Sequence, residues 1–185
     1  MIVNNIYTFD GKQLKERFAY NVFGYSRTLA IGNIISFYGG LNYRVKDKFI
    51  CADECLNFCL ELPKYDLLSG VLFNKLFITN VAQILTTTYL NAPVQVSQNT
   101  LIVEKEHVKN GYFQKNGIVS VNLFSYVNGA FLIYLGLYNK GGESANARAF
   151  SMELNEEKSK NLMEEINQSF YFLSNDAFLG TCNAV

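Results

Sequence analysis

The stretch Gly117–Asn139 constrains the fold of this chain more than any other. Behind its glycine it reads IVSVNLFSYVNGAFLIYLGLYN, two long apolar, β-forming runs that meet at Val127-Asn128-Gly129. Such a pattern predicts two long strands. Strands this apolar need other elements to cover them, and the expected result is an α+β domain with one core.

The 185 residues suffice for one buried core, and residues 1–185 are expected to form a single domain. A hydrophobic content of 49% with 17% charged residues is globular rather than disordered. Sixteen Lys and Arg balance sixteen Asp and Glu. A neutral chain has no long-range field to gather phosphates, so neither nucleic acid nor an anionic membrane surface is an expected partner. The opening MIVNNIYTFDGK lacks the basic and apolar regions of a secretory signal, and no run of eighteen apolar residues is present. The expected location is cytoplasmic, where Cys51, Cys55, Cys59 and Cys182 are reduced thiols.

Along the chain, Ile2–Phe9 is expected as a strand and Lys12–Tyr20 as a short helix carrying Leu14 and Phe18. Ile34–Tyr38 and Asn42–Val45 read as two strands split by Gly39-Gly40. A further strand, Phe58–Leu62, is stopped by Pro63. Asp66 to Thr88 carries the strongest helical pattern, with Leu68, Leu72, Leu76, Val81 and Ile84/Leu85 at three- and four-residue intervals and Phe73 and Phe77 beside them. Asp66 is placed to cap it. Val94–Val96 and Asn99–Glu106 are expected strands, His107–Gly111 a turn, and Arg148–Met152 one more strand. Asn155-Glu156-Glu157 opens a last helix with Leu162, Ile166, Phe170 and Leu173 in line, before an aperiodic tail from Asp176.

Cys51, Cys55 and Cys59 recur every four residues and share a face on either a helix or a strand. Three thiolates so spaced can seat a metal, yet free cysteine also behaves as a small buried hydrophobe, and the core reading is preferred; no metal is expected. His107, the single histidine, lies among Glu104, Lys105 and Glu106 and reads as a solvated turn residue without an orienting partner. The glycines at 24–32, 39–40 and 141–142 match neither GxGxxG nor GxxxxGK[ST]. The loop Phe23–Asn33 is either ordinary turn and packing or, through Ser26, Arg27 and Asn33, an anion contact. Glu61 closes an apolar strand and must face solvent or pair with a buried cation. No motif names a catalytic residue or a cofactor.

The order of pieces resembles a known family. Phe9-Asp10-Gly11, Phe18-Ala19-Tyr20-x-x-Phe23-Gly24 and Phe37-Tyr38-Gly39-Gly40 are similar to the opening of an uncharacterised prokaryotic family, domain of unknown function family 366. Asp66-Leu67-Leu68 with Asn74-Lys75-Leu76-Phe77-Ile78 resembles its helix. Val119-Ser120-Val121 and Tyr134-Leu135-Gly136-Leu137-Tyr138-Asn139 resemble its paired strands. That ending is also similar to the wider biotin and lipoate protein ligase fold, a mixed sheet backed by helices that holds an acyl-adenylate. The resemblance implies a ligand pocket between helix 66–88 and the sheet, with the Phe23–Asn33 loop at the nucleotide edge. Where the ligases carry Gly-Arg-Lys before the first paired strand, this chain has Asn116-Gly117-Ile118, with Lys115 just upstream and out of register. No Arg/Gly-repeat loop is present, and no cysteine lies between Cys59 and Cys182 to attack an acyl group.

The expectation is an α+β domain of ligase-like type, its mixed or antiparallel sheet backed by two main helices. It binds a small acyl- or nucleotide-like ligand through Ser26, Arg27, Asn33, Glu61 and Lys115. The alternatives are an acyltransferase or adenylating enzyme of the same fold, and a structural subunit that forms a homo-oligomer through an apolar surface.

Overall fold

The computed structural model describes residues 1–3, 7–15, 17–18, 21, 31–45, 48–109, 111–142 and 148–182. Among these, the strands are β1 (Ile2–Val3), β2 (Asn33–Val45), β3 (Lys48–Pro63), β4 (Val94–Ser97), β5 (Thr100–Val103), β6 (His107–Lys109), β7 (Tyr112–Gln114), β8 (Gly117–Ile118), β9 (Ser120–Val127) and β10 (Ala130–Lys140). The helices are α1 (Leu67–Ile84), which runs on as a π-helical turn over Leu85–Tyr89, and α2 (Glu156–Cys182).

The main sheet has the order β1-β2-β3-β10-β9, with β1 parallel to β2 and the other pairs antiparallel. The expected hairpin is present as β9 and β10, turned by Asn128 and Gly129 at φ 49° and 81°. Positive φ at both turn residues matches the strand twist, which is why Asn-Gly serves here. β8 leaves this hairpin at Val119 and pairs with β5 in a second sheet, β4-β5-β8. Val119 joins the two sheets, donating its N–H to Leu101 O at 2.9 Å and accepting from Tyr138 N at 2.8 Å.

Every residue of β10 but the last is buried, so both faces of the sheet centre are covered. Phe131, Ile133, Leu135 and Leu137 point to one side, where Leu56, Phe58, Leu60 and Leu62 of β3 join the helices. Burying each such side chain stabilises the fold by roughly 1.5–3 kcal/mol. α1 contributes Phe73, Phe77, Ile78 and Val81, and α2 contributes Leu162, Ile166 and Phe170. The Phe170 ring meets Phe73 and Phe77 edge-on at 5.9 and 6.2 Å, locking the two helices together.

The other side carries Leu132, Tyr134 and Tyr138 with Cys55 and Cys59. The N-terminal segment covers it: Phe9 stacks on Tyr134 with ring centroids 3.4 Å apart. The Tyr134 hydroxyl donates to Asn57 Oδ1 at 2.8 Å, and Asn57 Nδ2 donates to the carbonyls of Phe37, Gly39 and Cys55. Tyr134 lies across Gly136, where an added Cβ would stand 2.4 Å from its hydroxyl.

Several expectations are corrected. Gly39-Gly40 does not divide two strands; β2 runs through a bulge there, because Phe9 donates to Gly40 O and accepts from Asn42 N. His107–Gly111 is not a simple turn, since His107–Lys109 pairs with Tyr112–Gln114. Arg148–Met152 forms no strand, only a bridge from Ala149 to Ile118. The tail from Asp176 continues α2 to Cys182. Among the described residues of Ile2–Phe9, Ile2–Val3 is a strand and Phe9 bridges Leu41; residues 4–6 lie outside them. Of Lys12–Tyr20, residues 12–15 and 17 form turns and bends rather than the expected helix; Phe18 is buried, and residues 16, 19 and 20 lie outside the described residues.

The α1 correction has the clearest physical reason. Asp66 caps it as expected, accepting from Ser69 N at 2.7 Å. Its expected core row of Leu68, Leu72 and Leu76 is instead 67%, 60% and 53% exposed, and the face through Gly70, Phe73, Phe77 and Val81 is buried. The helix is apolar all round, so periodicity alone does not choose a face. By length and composition alone, Leu67–Tyr89 is also long enough to cross a bilayer. Close approach decides the packing: a Cβ at Gly70 would lie 2.2 Å from the Phe131 ring. Gly70→Ala is therefore expected to destabilise the domain by about 1–3 kcal/mol through overpacking. A lowered melting temperature, by roughly 2–4 °C per kcal/mol, checks it.

Candidate functional site

The space directly between α1 and the sheet is filled by Phe73, Phe77, Phe131 and their neighbours. The cavity that α1 lines opens instead on its flank, toward α2, with a volume of about 600 Å³. Its described walls are Pro63 and Tyr65 from the β3–α1 junction, Leu72, Phe73 and Leu76 from α1, and Ile31 opposite. α2 adds Ala177 and Ser174, whose fully buried hydroxyl has no hydrogen-bond partner among the described residues. Lys64, Asp66 and Ser69, all exposed, stand at the rim. A hydrogen bond to the Ser69 amide holds the Asp66 carboxyl below the usual carboxylate range. The site is thus an apolar trough with one buried hydroxyl and, at its edge, a lysine and the capping carboxylate of Asp66.

A second cavity, of about 530 Å³, lies at the opposite end of α2, against β1, Tyr38 of β2, mid-strand Glu54 of β3 and the end of β10. Here Glu54 Oε1 pairs with Lys140 Nζ at 2.7 Å, and Glu54 Oε2 accepts from the Tyr38 hydroxyl. Burial, then the Glu54 hydrogen bond, pushes the Tyr38 phenol up to about 12. Lys140 and Tyr38 in turn lower the Glu54 carboxyl. Asn139 fixes the cluster, with Nδ2 donating to Tyr38 Oη and Leu154 O at 3.1 Å and Oδ1 accepting from Leu154 N at 2.8 Å. A third hollow, of about 270 Å³, is lined by His107, Phe150 and Glu153. His107 is therefore no solvated turn residue: its half-buried ring packs edge-on against Phe150 at 5.2 Å, with Nδ1 3.2 Å from Lys105 O.

Of the residues expected to bind ligand, the three described ones, Asn33, Glu61 and Lys115, line none of the three cavities. Ser26 and Arg27 lie outside the described residues. Asn33 and Glu61 are cross-strand partners, both buried, on the sheet face away from α1. Glu61 neither faces solvent nor lines the α1 cavity; its Oε1 accepts from Arg17 N at 2.9 Å, tying down the N-terminal segment. Lys115 is exposed in the bend between β7 and β8 and is absent from the described walls of all three cavities. The residues that do line the main cavity carried a helical pattern that reads equally well as core. The apolar packing under Tyr134 and Tyr138 takes in Cys55 and Cys59, and burial pushes both thiols up. Among the described residues, no group of three or more His, Cys, Asp or Glu converges on a metal site.

No family model matches the sequence. No curated protein matches it either. Solved structures do match. A Pyrococcus horikoshi protein of unknown function superposes with a TM-score of 0.75 at 18% identity, covering 96% of this chain and 94% of the other. The biotin protein ligase from Aquifex aeolicus in complex with biotin and ATP gives 0.59 at 12% identity, over 94% and 72%. The bipartite lipoate protein ligase of Thermoplasma acidophilum gives 0.55 at 10%, over 90% and 82%. At these identities the likeness is one of fold. The chain is a single α+β domain with the fold of the biotin and lipoate protein ligases.

The buried thiols make a checkable expectation. In a Cys51→Ser, Cys182→Ser variant at pH 8, a thiol reagent should label neither Cys55 nor Cys59 in the native protein and both after denaturation. Rapid native labelling would show that the face under Tyr134 is open to solvent.

Proposed function

We propose that this domain, a distant relative of the uncharacterised family 366 and cytoplasmic in location, binds a small acyl-type carboxylic acid in the trough between α1 and α2. The observation that carries the reading is the composition of that trough: Leu72, Phe73, Leu76 and Tyr65 make an apolar wall ending at the buried Ser174 hydroxyl, with Lys64 at the rim. An acyl chain would lie against the leucines and place a polar end on Ser174 or a carboxylate beside Lys64. The volume falls within the roughly 300–1,000 Å³ of small-molecule sites. An acyl ligand suits these walls better than a nucleotide, which needs several phosphate donors. The fold likeness to a lipoate protein ligase and a biotin protein ligase is consistent with this class of ligand.

A second reading, the self-associating subunit, is favoured by one observation: the exposed row Leu68, Leu72 and Leu76 on α1. The adenylating reading rests on the fold alone, and release of pyrophosphate from ATP with octanoate would support it.

Thermal-shift titration with octanoate and decanoate tests the primary reading. At one hundred times Kd, linkage stabilises the folded state by about 2.7 kcal/mol, a rise of roughly 5–10 °C for a domain of this size. Leu72→Arg, at an exposed helix position, should abolish that rise while leaving the unliganded melting temperature nearly unchanged. If the ligands shift neither protein and light scattering shows a dimer that Leu72→Arg dissociates, the subunit reading replaces it.

A further inference from the structure

The second cavity, at the start of α2, has a chemistry of its own. Four charged side chains line it, Lys140 and Lys160 against Glu54 and Glu156, so its formal charge is zero. A simple anion entering there would meet two carboxylates, and a simple cation two ammonium groups. Ligands that carry both charges avoid either penalty.

Further observations point to a ligand. Ser159, in the first turn of α2, is 3% exposed and lines the cavity, yet its hydroxyl has no hydrogen-bond partner among the described residues. A buried hydroxyl without a partner costs free energy that a bound acceptor would recover. It sits at the positive end of a 27-residue helix whose cap is already made, Asn155 Oδ1 accepting from Lys158 N at 2.9 Å. The carboxylate of Glu54 is held by Lys140, Tyr38 and Asn139, which makes it a rigid fixed charge. Ile2, Val3 and Met163 give the same cavity an apolar floor.

We propose that this cavity binds a free α-amino acid with an apolar side chain. The carboxylate accepts from Ser159 Oγ and faces Lys160 and the helix N-terminus. The ammonium group lies between Glu54 and Glu156, and the side chain rests on Ile2, Val3 and Met163. This site is separate from the acyl trough, which α2 lines at its other end.

Isothermal titration calorimetry of the full chain tests it with the twenty protein amino acids, each to 10 mM. Saturable binding of Leu, Met or Phe is expected; in Leu72→Arg, whose acyl trough is blocked, isocaproate and isoamylamine, which each carry one of the two charges, should not bind. Lys160→Ala, exposed and outside every described hydrogen bond, and Ser159→Ala should each weaken binding at least tenfold with unchanged circular dichroism. Leu72→Arg should leave it intact, which separates this site from the trough. The proposal is overturned if no amino acid binds, if isocaproate or isoamylamine binds Leu72→Arg as tightly as leucine does, or if Lys160→Ala and Ser159→Ala bind as the parent does.

Discussion

The pairing of β3 with β10 at the centre of the sheet governs this molecule. Ten of the eleven β10 residues are buried, so neither face can be left to water. One face is closed by two helices that meet through Phe73, Phe77 and Phe170. The other is closed by the N-terminal segment, which lays Phe9 on Tyr134 and offers the Arg17 amide to the Glu61 carboxylate. Antiparallel sheets commonly leave one side to solvent, and an almost continuously apolar central strand forbids that economy here. Much else follows, including the bulge in β2, where the N-terminal segment inserts its own hydrogen bonds.

α2 gives the fold its candidate sites. Its middle, Leu162 to Phe170, is committed to the core. Each of its ends borders a cavity: Ser159 and Lys160 at the front, Ser174 and Ala177 at the rear. Both ends bury a serine hydroxyl with no partner among the described residues. Each end of α2 thus sets a buried hydroxyl beside apolar side chains at a cavity.

Legibility differed between the fold and the sites. Strong local patterns carried through: the β9–β10 hairpin, the Asp66 and Asn155 caps, and the Leu162/Ile166/Phe170 line. Each depends on neighbours in sequence, through turn geometry, unpaired helix amides or helical period. Asn33 was read as an anion contact in the Phe23–Asn33 loop and Glu61 as a charge closing an apolar strand, and the structure pairs the two across strands rather than at a cavity. Ser159 and Ser174 drew no notice, because a serine on a helix gives no local sign of lacking a partner. The Cys51/Cys55/Cys59 spacing did imply one shared face, and burial beneath two tyrosines gives that face its meaning.

By itself, the sequence determined the α+β class, the long hairpin, both helices and their caps, since these follow from residue type and spacing over a few turns. Only the tertiary structure decided which side of α1 is buried, because that helix is apolar on every side and the choice falls to the contact between Gly70 and Phe131, sixty-one residues away. It also decided where the cavities lie, since their walls join segments from the first residues, the middle and the last helix, and no local pattern encodes such a meeting.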